Sequence, residues 1–244
     1  MTTISEDYIF PIKDFEEFLV TINAQMSGEI ESSNKTELTL YRGQGNSEWR
    51  LEPKIARTSI DGPFMIYERE TIDEFIRLGR SLIPSHVLNN EWDLLAFAQH
   101  HGLKTRLLDW TTNPLVALWF AFNEEIKVKT RSVWVMFIEK DELADTKSGS
   151  PLSQPRTAAF KPNHISQWIT AQSGWFTTHK YLDRAKKFNP LDAQSGYKDK
   201  LVRFDFKNLQ RERILRTLDI LGINSSSLFP DVDGLAAYLN WKSR

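Results

Sequence analysis

The sequence predicts an α+β fold, a single domain in which several helices pack on a sheet. Three observations carry that prediction. Helical periodicity marks segments early and late in the chain, at 13–27, 64–83 and 208–222. Strand-like runs are interspersed among the helices. No internal repeat and no low-complexity linker divides the 244 residues, a length that suffices for one large domain or two small ones.

Phe15, Phe18, Leu19 and Ile22 recur at helical spacing over 13–27, and a polar loop, "SGEIESSNKTE", follows. Residues 1–35 therefore read as an N-terminal helix and loop packed on a globular unit over 36–244. "ELTLYRG" alternates as a half-buried strand does, and Gly43 ends it. "PKIARTSIDGP" reads as irregular. Residues 64–83 read as a long amphipathic helix with Ile72, Phe75, Ile76 and Leu78 inward. The next helix, 90–102, has Asn90 as N-cap and Gly102 as its stop. "LKTRLLDWTT" reads as a connector. Asn113 then caps a helix with Pro114 at its first position, apolar on nearly every side and so central to the core. "RSVWVMFIE" reads as a central strand, 145–163 as a loop, and "HISQWITAQSGWFTTH" and "KLVRFDF" as strands. A helix over 208–222 and a short terminal helix complete the chain.

Hydrophobic residues make up 41% and charged residues 26%, the balance of a folded, soluble protein, and the net charge of −1 gives no global excess for non-specific nucleic-acid binding. The chain has no cysteine, which excludes disulfides, thiol nucleophiles and cysteine-ligated metals. The first residues show no basic segment followed by an apolar run, so a signal peptide is not expected, and a cytoplasmic location fits. The most apolar stretch, 113–122, is too short to span a bilayer, so no membrane partner is expected.

Four stretches carry candidate chemistry. In Tyr41-Arg42-Gly43-Gln44 an arginine at a strand end can aim a planar fork of donors at phosphate, or can be a solvated charge beside a turn glycine. In "AQHHGLKTRLLDWTTNPLVALWFAF" polar residues crowd a link between apolar helices: Gln99, His100, His101, Thr105, Arg106, Asp109, Thr111 and Thr112. Either they satisfy one another, Arg106 with Asp109 for example, or they wall a pocket beside a helix N-terminus. Adjacent histidines on a helix point apart, so no metal is expected. In "ITAQSGWFTTH", Gln172 and Ser173 precede a glycine and an aromatic pair, and no G-x-S-x-G elbow surrounds Ser173. In "SSSLFPDVDGLAAYL", Asp231 and Asp233 flank a turn, as helix caps do. The eight tryptophans serve either as core or as stacking platforms.

Together these stretches resemble the FRG-domain family, over roughly 40–240. The aromatic-Arg-Gly motif is Tyr41-Arg42-Gly43, the long middle pattern runs over 98–122, Gln172, Gly174, Phe176 and Thr177 match a Q-x-G-x-F-T pattern, and "LFPDVDGLAAYL" closes the series. That family is in turn distantly similar to the ADP-ribosyltransferase fold. The resemblance implies a split antiparallel β-sheet with NAD⁺ as substrate in its cleft. It implies that Tyr41, Arg42, Gly43, Gln44, His100, Thr105, Arg106 and Thr111 hold the dinucleotide, and that Gln172 and Asp109 act at the reacting ribose. Where such transferases place a glutamate, this chain has Gln172; Asp109, Asp231 and Asp233 are the carboxylates that remain to stabilise positive charge. The expectations are an NAD⁺-cleaving enzyme that modifies a macromolecule, suited to a toxin or phage-defence effector, or a non-catalytic module that binds nucleotide, nucleic acid or protein. A serine hydrolase built on Ser173 with His179 or His100 is the remaining alternative.

Overall fold

A computed structural model describes residues 8–26, 36–60, 62–163, 167–207 and 211–243. Helices and strands occur in the chain order β1 (Ile9–Ile12), α1 (Phe15–Met26), β2 (Thr36–Gln44), α2 (Phe64–Gly79), α3 (Glu91–His100), β3 (Leu107–Thr111), α4 (Pro114–Asn123), β4 (Thr130–Glu139) and β5 (Ala158–Phe160). Then come α5 (Gln167–Ala171), β6 (Gly174–Thr178), β7 (Tyr181–Leu182), β8 (Lys187–Phe188), β9 (Leu201–Lys207), α6 (Arg211–Ile220), α7 (Ser225–Leu228) and α8 (Val232–Lys242). The loop expected over 27–37 and the start of the helix expected at 208 lie largely outside the described residues.

The α+β class holds. Among the described residues seven strands form one sheet in the order β1-β9-β4-β2-β3-β6-β5, and β7 and β8 make a separate small hairpin. The pairings in the large sheet are antiparallel except β1 with β9, which is parallel. β2 and β4 pair over most of their length, from Thr36 opposite Glu139 to Gln44 opposite Ser132. β2 and β3 touch in register only at Tyr41 opposite Thr111. The sheet therefore parts between β2 and β3, and the opening lies beside Arg42.

α4 anchors the larger half. Asn113 accepts from the Leu115 N–H at 2.9 Å, Pro114 opens the helix, and Val116, Ala117, Leu118, Trp119, Ala121 and Phe122 are all buried. The helix packs on β2 with almost no separation. A Cβ on Gly43 would lie 1.9 Å from the Ala117 carbonyl oxygen and 2.5 Å from the Ala121 nitrogen. Gly43 is thus required for close helix–sheet approach. α1 joins the same core, with Phe18 edge-on to Phe204 at 6.1 Å and tilted on Phe206 at 5.5 Å. The smaller half packs α2 and α3 on β6 and β5 through Ile72, Trp92, Phe97, Phe160 and Phe176.

Five expectations need correction. Leu78, expected inward on α2, is exposed. The connector at 103–112 contains β3, whose residues are buried except Asp109, so it lacks the alternation that marks a half-exposed strand. The strand expected over 164–179 is α5 followed by β6. The Gln172 and Ser173 N–H groups close that helix onto Trp168 and Thr170, and Ser173 turns the chain at φ 51°. The loop over 145–163 contains β5, a three-residue edge strand too short to show a period. β1 was not expected; its four residues include Pro11, which fits only because β1 is an edge strand.

Candidate functional site

A cleft of about 460 Å³ opens where β2 and β3 part. Strand alternation sends Tyr41 and Gly43 toward α4 and leaves Arg42 on the other side of β2 with Leu40 and Gln44. From there Arg42 Nη1 donates to the Asp109 carbonyl oxygen at 2.7 Å and lies 3.7 Å from the Asp109 carboxylate. Its side chain is 21% exposed, whereas that of Asp109 is 58% exposed. Arg42 Nε is buried and has no hydrogen-bond partner among the described residues. Burial draws the Arg42 guanidinium down from its usual range, Asp109 opposes that, and nearby Arg57 adds to it.

Asp109 is positioned from two sides. Besides Arg42, it receives the Gln99 side-chain N–H at 2.8 Å from α3. Thr105 donates to Gln99 Oε1 and accepts the Leu107 N–H at 3.1 Å, which fixes the orientation of the Gln99 amide. On the far wall, Thr111 donates to the Gln172 carbonyl oxygen at 2.7 Å and accepts the Asn113 N–H at 3.0 Å. The Gln172 side-chain N–H donates to the Leu228 carbonyl at 3.1 Å, which leaves Oε1 as the end able to accept from a ligand. His100 stacks edge-on against Trp168 at 4.3 Å, and Trp168 does the same against Phe229 at 5.5 Å. Burial lowers the His100 pKa to about 4, helped by His101 and opposed by Asp109 and Asp231, so the ring is neutral near pH 7.

The expected residues separate into three groups. Tyr41, Arg42, Gly43, Gln44, His100, Asp109, Thr111 and Gln172 all line the cleft. Within that group Gln44 has its amide committed: Oε1 accepts the Trp134 indole N–H at 2.7 Å, and Nε2 reaches the Arg50 carbonyl at 3.4 Å. Gly43 supplies close packing, as described above. Thr105 is buried and acts on the cleft only through Gln99. Arg106 is elsewhere. It is 1% exposed, paired with Glu68, and donates to the Leu152 carbonyl at 2.8 Å. The expected Arg106–Asp109 pair does not form, because α2 supplies Glu68 as the buried partner.

The alternatives at the later stretches resolve as well. Asp231 caps α8, accepting the Gly234 N–H at 2.7 Å, and a Cβ on Gly234 would lie 1.9 Å from the Phe229 carbonyl oxygen. His179 is buried and bonds Thr177 at 2.9 Å, so it does not serve Ser173 as a base. Trp92, Trp110, Trp119 and Trp134 are core.

Sequence reasoning missed the aromatic rim. Trp49 stands 38% exposed at the cleft mouth. Its loop is pinned by Asp192, which takes Arg50 Nε at 2.5 Å and the Leu51 N–H at 3.0 Å. A tryptophan in a polar loop just after the Arg42 strand was the available signal. Trp168 gave none, since it reaches the cleft through tertiary packing, and Phe229 lay in the 225–239 stretch without its ring being singled out. Lys54, Arg57 and Glu52 complete the mouth, with Arg57 and Glu52 3.6 Å apart.

No curated protein and no solved structure matches the chain. A family model does. The match stops short of Gln172 and of the 228–239 stretch, which the sequence pattern alone had joined to it. Residues 37–130, which contain the Tyr41-Arg42-Gly43 strand, the Asp109 strand and α4, match the model of the FRG domain.

Proposed function

We propose that the cleft binds NAD⁺ and that the chain is an ADP-ribosyltransferase-like enzyme. The observation that carries this reading is the Arg42–Asp109 arrangement, a guanidinium and an exposed carboxylate held together at the parting of the sheet. Arg42 spends one N–H on Asp109 and lines the cleft where a pyrophosphate would lie, and Trp49 and Trp168 line it beside the bases. Asp109 takes the part of the missing glutamate. As the bond between C1′ and the nicotinamide nitrogen breaks, its electron pair leaves with neutral nicotinamide, and the carboxylate stabilises the positive charge on the ribose. The acceptor nucleophile then bonds C1′, and its proton passes to Asp109 or to solvent. Gln172 Oε1 accepts from a ribose hydroxyl. Such an activity suits a toxin or phage-defence effector that modifies a macromolecule.

Incubation with NAD⁺ labelled in its nicotinamide tests the reading. Release of labelled nicotinamide, lost in Asp109→Asn, supports it; no release at high enzyme concentration sinks the catalytic part.

A second reading, nucleotide binding without catalysis, is favoured by the engagement of Asp109. Both Gln99 and Arg42 already contact this carboxylate, which dilutes its charge. NAD⁺ quenching of tryptophan fluorescence without nicotinamide release would select it.

A further inference from the structure

The chain carries a formal net charge of −1, yet its cations are not spread evenly. Lys180, Arg184, Lys186 and Lys187 all lie exposed on and around the β7–β8 hairpin, against the single carboxylate of Asp183. None of these four cations takes part in an ion pair among the described residues. The hairpin borders a concavity of about 770 Å³, larger than the cleft. Its floor is aromatic. Tyr181 stacks on Phe64 at 4.1 Å, and Phe188 meets both edge-on, at 5.1 Å from Phe64 and 5.3 Å from Tyr181. The Arg106 guanidinium lies 6.0 Å from the Phe64 and Phe188 rings, and its pairing with Glu68 holds the platform rigid.

This concavity adjoins the cleft. The turn Lys54–Arg57 forms part of both walls: Ile55 and Ala56 face the concavity, and Lys54 and Arg57 face the cleft. The turn is a single 3₁₀ segment, about 8 Å long at about 2 Å per residue. Cations thus border both walls of this turn, Lys186 and Lys187 on the concavity and Lys54 and Arg57 on the cleft, with Arg57 beside Glu52.

The geometry points to a docking surface for single-stranded nucleic acid, with the bound strand leading into the cleft mouth. Exposed lysines and arginine neutralise phosphates, and a partly exposed tyrosine on a rigid aromatic floor stacks a base. A bilayer is flat and would not reach the recessed rings. An acidic peptide would use the cations and leave the rings unused. This deepens the reading of the cleft by naming the acceptor class; the identity of the strand as acceptor rests on that reading, whereas the docking surface does not.

The test is fluorescence anisotropy with fluorescein-labelled 15-residue oligo(dT) and oligo(U), at 50 and 200 mM salt. The wild type is compared with Arg184→Glu/Lys186→Glu/Lys187→Glu and with the milder Lys186→Gln/Lys187→Gln, each checked for fold by thermal unfolding. NAD⁺ is titrated in parallel by tryptophan fluorescence. The expected result is binding that weakens with salt, by about 0.7 in log–log slope for each phosphate neutralised. Charge reversal lowers affinity at least tenfold, neutralisation lowers it less, and the NAD⁺ titration is unchanged in both variants. A preference between dT and U names the natural strand type. Oligonucleotide binding that is absent at 50 mM salt, or unaffected by charge reversal, overturns the proposal. So does tighter binding of polyglutamate or of phosphatidylserine vesicles. If wild type fails to respond to NAD⁺ while oligonucleotide binding depends on the hairpin, the cleft reading falls and the docking surface stands.

Discussion

Arg42 donates to the main-chain carbonyl of Asp109 at 2.7 Å, across the place where β2 and β3 stop pairing. The contact does two things. It substitutes for ladder hydrogen bonds that the parting strands no longer make, and it fixes a guanidinium beside an exposed carboxylate. The fork matters as well as the charge, because one arm is used on Asp109 and the rest of the guanidinium is what the proposed phosphate contact draws on.

Arg42→Lys keeps the charge and loses the fork. NAD⁺ affinity is expected to fall ten- to a hundredfold, in line with about 1.5–3 kcal/mol for a hydrogen bond to a charged group. The unfolding midpoint should move little, since lysine keeps a positive charge beside Asp109 and an N–H to offer its carbonyl oxygen. A titration of the variant that matches wild type would show that Arg42 only braces the strands.

Asp109→Asn preserves an oxygen for the Gln99 amide, so the cleft should keep its shape. NAD⁺ binding is expected to change only a few fold, while nicotinamide release falls by about 10²–10³, the scale seen when one stabilising group is removed from a developing charge. The two effects separate in a comparison of dissociation constant with turnover. Equal turnover in the variant would move the carboxylate role to Glu52 or Glu124, which also line the cleft.

Gly43→Ala places a methyl group 1.9 Å from the Ala117 carbonyl oxygen, and the obstacle is helix backbone rather than a movable side chain. α4 must shift as a body, and overpacking of this kind costs about 3 kcal/mol or more. Urea denaturation should show a midpoint well below wild type. A stability loss under about 0.5 kcal/mol would mean that α4 slides freely on β2.

That glycine illustrates what was legible in the sequence. Tyr41-Arg42-Gly43 was identified as a unit, and all three of its members line the cleft. The reason for the glycine, contact with Ala117 and Ala121, depends on a helix over seventy positions away. Capping at Asn90, Asn113 and Asp231 was readable because those bonds are local. β3 was not readable: a strand buried on both faces has no alternation to detect. An Arg106–Asp109 pair was one option suggested by proximity in sequence, yet residues an odd number of positions apart along an extended chain face opposite sides, and the partner of Arg106 came from α2.

Arg106 and Glu68 form an ion pair with side chains 1% and 3% exposed. Glu68→Gln leaves the guanidinium charge buried without its counter-ion, and a loss of about 3–5 kcal/mol is expected in urea denaturation. The double variant Arg106→Met/Glu68→Leu removes both charges and should recover most of that loss, because no group is then buried unpaired. A double variant as unstable as the single one would show that the hydrogen bonds from Arg106 to Leu152 and His179 carry the effect instead.

Acid should destabilise the protein through two histidines. Burial pushes His179 down to about 3, with Arg42 and Arg106 adding to the shift, and lowers His100 to about 4. In the unfolded chain both titrate near 6.5. Between pH 6.5 and the folded values the unfolded state binds more protons, so stability falls as pH falls; above pH 6.5 both states are neutral and the effect is absent. Each fully engaged histidine contributes a slope of about 1.4 kcal/mol per pH unit, with His100 contributing less because it is only partly buried. His179→Leu should flatten the profile between pH 6.5 and 4.5. The Thr177 hydroxyl loses its ring partner in that variant but still receives the Trp110 indole N–H, at 3.0 Å. Urea midpoints measured across that range, wild type against variant, decide the matter. Parallel profiles would mean that His179 is protonated in the folded state, with its buried Nδ1 finding an acceptor that the present arrangement does not provide.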